Sequence, residues 1–135
     1  MIYALDYSIC IQLLAGDSPG LQERFLLQNA RDYGVPAVVR AELLSAARRS
    51  NRAKDNQRVV ENFLAPLVAL PFDDASAEEY AALWNESGFD PRSLPLTDLM
   101  TAAVALAHRL TLVTSEGYSS FAQVPNLRVD WWRPE

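Results

Sequence analysis

Apolar and polar positions alternate along this chain in two periods, short runs and helical stripes, one after the other. Residues 2–5, Ile-Tyr-Ala-Leu, form a short apolar run that stops at Asp6. A run of that length and composition predicts a buried strand. A short helix is predicted over 8–14, then a turn cluster over 16–20. Leu21, Phe25, Leu26 and Ala30 recur at helical spacing and predict a helix over 21–33, with Gly34 as its stop. Residues 35–39 read as a second strand, 40–49 and 54–65 as helices, and 67–70 as a third strand. A helix over 76–85 follows, and the glycine- and proline-marked stretch 87–95 is a loop. Leu99, Met100, Ala103, Leu106, Ala107 and Leu110 share one side of a helix over 96–110. Residues 111–114 make a fourth strand and 127–129 a fifth.

Strands that alternate with helices in this way predict βαβ units. The expected architecture is an α/β fold of three layers, α/β/α, around a parallel sheet of four or five strands. The 135 residues, half of them hydrophobic, suit a single domain spanning 1–135. No repeat, linker or low-complexity segment interrupts it.

Charge and cysteine content narrow the function. A formal net charge of −5 disfavours a protein that grips nucleic acid mainly by a basic surface. It is compatible with a carboxylate cluster neutralised by a divalent metal. Cys10 is the only cysteine, which excludes an internal disulfide and a cysteine-rich zinc site. No apolar run reaches membrane-spanning length and no signal peptide is legible, so no membrane association and a cytoplasmic location are expected.

The carboxylates take on meaning when placed on these elements. In a parallel sheet the carboxyl ends of the strands share one rim, where ligands bind. Asp6 ends the first strand, Glu42 lies early in the helix after the second, and Glu116 lies just past the fourth. Asp98, in the first turn of its helix, joins them if that helix starts at the same rim. Carboxylates crowded in one cleft repel one another, and Mg²⁺ or Mn²⁺ relieves the repulsion because hard cations prefer oxygen ligands. Such a metal can activate water and stabilise charge on a phosphodiester. Each acid also has a plain structural role. Asp6 can cap the following helix, Glu42 and Asp98 suit the positive end of a helix dipole, and Glu116 suits a solvated turn.

Six segments together carry a family likeness. Residues 1–11, MIYALDYSICI, resemble the opening of VapC-type PIN-domain toxins, an apolar strand followed by Asp-Thr-Asn or Asp-Thr-Ser. Val39-Arg40-Ala41-Glu42-Leu43, Leu70-Pro71-Phe72-Asp73, the helix start Pro95-Leu96-Thr97-Asp98-Leu99-Met100-Thr101-Ala102-Ala103, Leu112-Val113-Thr114-Ser115-Glu116 and Val124-Pro125-Asn126-Leu127 resemble further family segments, in order and at family-like spacing. The resemblance implies a metal-dependent endoribonuclease, the toxin of a toxin–antitoxin pair. It implies Asp6, Glu42, Asp98 and Glu116 as catalytic acids. Asp6 and Asp98 would hold the Mg²⁺ (or Mn²⁺), with Glu42 and Glu116 reaching it through water. Ser8 and Thr114 would be supporting hydroxyls. It further implies an RNA substrate, a cognate VapB-like antitoxin and a homodimer. Tyr7, where Thr is usual, and Glu116, where Asp or Asn is usual, depart from the pattern. A phenol at Tyr7 narrows the cleft, stacks on a base, or packs outward.

The remaining residues favour plainer roles. His108 is the only histidine and suits a helix C-terminus, and Cys10 suits a core. Arg48, Arg49, Arg52 and Arg58 read as a solvated face before they read as phosphate contacts. Trp131 and Trp132 suit cover for a sheet edge or a dimer seam better than base stacking. Apolar residues on the early helices and on 54–65, among them Leu13, Leu27, Val60 and Phe63, suggest a groove for an antitoxin segment. Two competing functions stand beside the nuclease. One is a catalytically weakened interaction module of the same fold. The other is a phospho-accepting receiver domain, which needs a lysine near its last strand; the only lysine here is Lys54.

Overall fold

The structure, a computed structural model, describes residues 1–115, 117 and 120–134. Its sheet has five strands, β1 (Tyr3–Leu5), β2 (Tyr33–Pro36), β3 (Val68–Leu70), β4 (Thr111–Ser115) and β5 (Val129–Trp132). They lie in the order β3-β2-β1-β4-β5, and every neighbouring pair is parallel. Helices α1 (Tyr7–Ala15), α2 (Pro19–Leu26), α3 (Ala37–Arg48), α4 (Ala53–Leu64), α5 (Asp74–Leu83) and α6 (Leu96–Ala107) cover the two faces.

Successive strand residues point to opposite faces, and the core divides accordingly. Leu5 and Val113 pack with Ile9, Leu43 and Val60 under α1 to α4. Ala4 and Leu112 pack with Leu83, Leu99 and Val104 under α5 and α6. Burial on both faces explains why the central strands read as unbroken apolar runs. The layers, the parallel sheet and the five strands are those the sequence predicts.

Several boundaries differ, each for a physical reason. The second strand is Tyr33–Pro36, not 35–39, and Gly34 lies inside it rather than ending a helix. Pro36 stands at the cap of α3 with φ −59°, a geometry that suits a helix start. Val38 and Val39 are therefore helical despite their strand preference, and Val39 is fully buried beneath α3. The helix expected over 21–33 stops at Leu26, because Tyr33 must be extended to pair with Tyr3. The last strand runs to Trp132, four residues beginning at Val129. Trp132 is buried and meets Tyr3 and Tyr33 edge to face, while Trp131 stays exposed.

Gly34 is required by space. A methyl group there would come within 2.5 Å of Leu70 Cδ1 and 2.8 Å of Met1 Sδ. Met1 is exposed and can move aside; Leu70 is buried and cannot. Gly34→Ala is expected to cost about 1–3 kcal/mol, as overpacking does. Denaturant unfolding of Gly34→Ala, Leu70→Ala and the pair tests this. A double variant less destabilised than the sum of the singles is expected, and additive costs would contradict it.

Candidate functional site

Asp6 follows β1 and is almost completely buried, at 2 % exposure. A carboxylate so placed must find donors. Its Oδ1 accepts from the backbone N–H of Ile9 at 2.9 Å, which makes it the N-cap of α1. The Ser8 hydroxyl lies 2.8 and 2.9 Å from its two oxygens, and Thr114 Oγ1 donates to Oδ2 at 2.6 Å. Ser8 Oγ accepts in turn from the backbone N–H of Ser115 at 3.1 Å and lies 3.1 Å from Thr114 Oγ1. The main-chain N–H of Asp6 donates to the carbonyl of Val113. Ser8 and Thr114, the hydroxyls expected beside the site, both contact Asp6 directly.

Glu42 and Asp98 come to the same rim. Thr111 pairs with Tyr3 at the start of β4, so α6, which leads into β4, ends at the amino rim. Its first turn therefore stands at the carboxyl rim, and the loop before it carries the chain there. Asp6, Tyr7, Ser8, Glu42, Thr97 and Asp98 line one cavity of about 300 Å³. Glu116 lies outside the described residues.

The acids feel one another. Burial, then the charge of Asp98, hold the Asp6 carboxyl above its ordinary value, although its hydrogen bonds with Thr114, Ile9 and Ser8 pull the other way. Burial also raises Glu42, with Asp98 and then Asp6 adding to the effect, against a hydrogen bond from the Thr97 hydroxyl. The donors are all hard oxygens, the chemistry that Mg²⁺ and Mn²⁺ take. Among the described residues, no three acids are gathered closely enough to ligate one ion directly.

Thr97 and Ser115 belong to this site, and residue type alone did not single them out. Thr97 stands next to Asp98 in the first turn of α6, and the place of Ser115 follows from Thr114, since the residue after a buried hydroxyl at a strand end presents its N–H to the same rim. Tyr7 lines the cavity and leans on the core, so it does not pack outward. His108 caps α6 with Nδ1 3.0 Å from the carbonyl of Val104, and Cys10 is core. Of the apolar residues expected in a partner groove, Leu13 and Val60 are buried and Phe63 stacks on Phe25; Leu27 is exposed.

A buried acid with a raised folded-state value stabilises the fold below its ordinary range, and that contribution is lost as pH rises through the folded value. Removing the charge of Asp6 should therefore stabilise the metal-free protein at neutral pH. Asp6→Asn keeps an oxygen for the Ile9 N–H. Its melting temperature in chelator is expected to exceed that of the wild type at pH 7. The difference should shrink as pH falls toward the ordinary aspartate value of 3.8. A variant less stable than the wild type, by more as pH rises, would contradict this.

Comparison with known proteins places this rim in a family. Residues 3–127 match the PIN domain. The chain is 28 % identical to Ribonuclease VapC2 of Rickettsia felis, over 98 % of each. It is also 28 % identical to the tRNA(fMet)-specific endonuclease VapC of Shigella flexneri, over 96 % of this chain and 97 % of that one. Among solved structures, Rickettsia felis VapBC2 bound to a promoter DNA fragment superposes with a TM-score of 0.85 at 27 % identity, covering 98 % of this chain and 99 % of the other. DNA-bound VapBC from Salmonella typhimurium gives 0.87 at 26 %, over 98 % of both. With a family match running from β1 to the loop before β5, and a likeness to VapC-type members along its whole length, the chain belongs to the PIN-domain family.

Proposed function

We infer that the chain is a metal-dependent endoribonuclease, the toxin of a toxin–antitoxin pair, that hydrolyses RNA phosphodiester bonds at the acidic rim. The observation that carries this reading is the meeting of Asp6, Glu42 and Asp98 around one cavity in a chain aligned end to end with VapC ribonucleases. It is read as one PIN-like domain, 1–135, and as a cytoplasmic protein. Among the described residues no helix is long and apolar enough to cross a membrane.

The contacts around Asp6 support the following roles. Asp6, fixed by three donors, and Asp98, at the head of α6, would hold Mg²⁺ or Mn²⁺ directly. Glu42, which lines the same cavity as Thr97, would act through water, as would Glu116, whose place rests on sequence alone. When bound, the cation supplies an activated water and neutralises charge developing on the phosphodiester. Thr114 and Ser8 keep Asp6 oriented with both hydroxyls engaged. Two direct carboxylates with the rest through water suit a site in which no three described acids close on one point.

The partner would be a VapB-like antitoxin, as the solved relatives are VapBC complexes. An apolar groove of about 280 Å³ between α1, α3 and α4, lined by Ile11, Leu14, Leu43 and Val59, is the surface that suits an antitoxin segment. The exposed Leu26 and Leu27 offer further apolar area for it or for a homodimer contact.

RNA cleavage with Mg²⁺ or Mn²⁺ and with a chelator tests the chemistry. Chelator should abolish cleavage. Asp6→Asn and Asp98→Asn should each lower it by about a hundredfold or more, the scale for losing a preorganised charge at a reacting phosphate. Glu116→Asp should keep or raise activity, and Glu116→Gln lower it. Cleavage that survives both the chelator and Asp98→Asn would overturn the assignment, and a wild type inert with every metal would favour the weakened interaction module.

A further inference from the structure

Beside the acid-lined cavity lies a second, more open chamber of about 380 Å³. The two share Tyr7, Glu42 and Thr97, and the second adds Val38, Ala41 and Arg49. Arg49 is the only basic residue that lines either of them. Its neighbours in sequence are occupied elsewhere. Arg48 donates to Gln57, and Arg52 and Arg58 share Asp55. Arg49 differs from them. Its Nε donates to the carbonyl and to the hydroxyl of Ser45, both at 3.3 Å. With Nε so engaged, its two terminal nitrogens have no partner among the described residues.

The side chamber combines an apolar wall with one cation. Tyr7, Val38 and Ala41 give it an apolar, partly aromatic wall, and an aromatic face accepts any base by stacking. Arg49 gives it the fork that matches a phosphate. The position has an electrostatic logic too. A substrate phosphate approaching three carboxylates in a chain of net charge −5 is repelled, and one fixed cation a short way along the strand offsets that repulsion.

We propose that this side chamber binds the nucleotide of single-stranded RNA next to the bond to be cut, with Arg49 on its phosphate and Tyr7 against its base. The proposal rests on the ribonuclease reading above, and its test separates the two. A fluorescently labelled RNA hexamer is titrated with full-length protein in chelator, so that binding is read by anisotropy without cleavage. Arg49→Ala should weaken binding by roughly tenfold, the scale of a charged hydrogen bond. It should also reduce the slope of log affinity against log salt by about 0.7, one single-strand phosphate contact. Tyr7→Leu should weaken binding to a similar degree, roughly tenfold for one lost stack, with the salt slope unchanged. Tyr7→Phe, which keeps the stacking face, should bind as the wild type does. Circular dichroism melts of the Arg49→Ala and Tyr7→Leu proteins that match the wild type exclude misfolding. With metal present, Arg49→Ala should raise KM and leave kcat unchanged. An unchanged affinity and salt slope in Arg49→Ala, or a wild type that does not bind the hexamer, would overturn the proposal. Binding that responds as described, in a protein that cleaves no RNA with any metal, would uphold the subsite and refute the catalytic reading.

Discussion

One buried carboxylate organises the carboxyl rim. Asp6 is at 2 % exposure, and a charge so deep in a protein is tolerated only when donors surround it. Those donors come from separate parts of the chain: the first turn of α1 through Ile9 and Ser8, and β4 through Thr114. Satisfying one side chain therefore fixes the angle at which α1 leaves β1 and ties both to β4, more than a hundred residues away in sequence. The parallel sheet does the rest. Because β1 and β4 run the same way, the end of each strand, and the helix starts next to them, face one cavity.

The same arrangement holds an opposition. Burial and the neighbouring acids disfavour the charged forms of Asp6 and Glu42, yet charged forms are what a metal site needs. Strain of this kind is characteristic of functional sites. A cation would convert mutual repulsion into shared attraction, so the groups that weaken the metal-free fold would be those that bind most strongly. The hydroxyls of Ser8, Thr114 and Thr97 moderate the repulsion without neutralising it.

Much of this was legible in the sequence. The apolar run before Asp6, the stripe from Leu99 to Leu110 and the alternation of short runs with helices suffice for a parallel α/β/α fold. Asp6 and Glu42 follow from topology, since residues just past parallel strands share a rim. Asp98 was conditional on the course of the 87–95 loop, which local patterns do not determine. Where the reading slipped, tertiary demands overrode local preference. Gly34 resembles a helix stop but is a strand residue kept small by Leu70. Val38 and Val39 resemble a strand but lie in α3, because Pro36 starts the helix there. The places of Thr97 and Arg49 on the cavity walls were not legible for another reason. A threonine in a first turn and one arginine among four look ordinary until the cavity walls bring them beside Glu42 and Tyr7.

A divalent metal at the rim beside Asp6 would resolve the opposition among these acids. The most direct test is a crystal structure of the protein grown with Mn²⁺, with the ion located by its anomalous scattering. A peak is expected between the carboxylates of Asp6 and Asp98, at about 2.0–2.6 Å from an oxygen of each, the range for hard divalent ions, and no such peak in Asp98→Asn. Manganese bound elsewhere at saturating concentration, with the rim empty, would contradict this expectation.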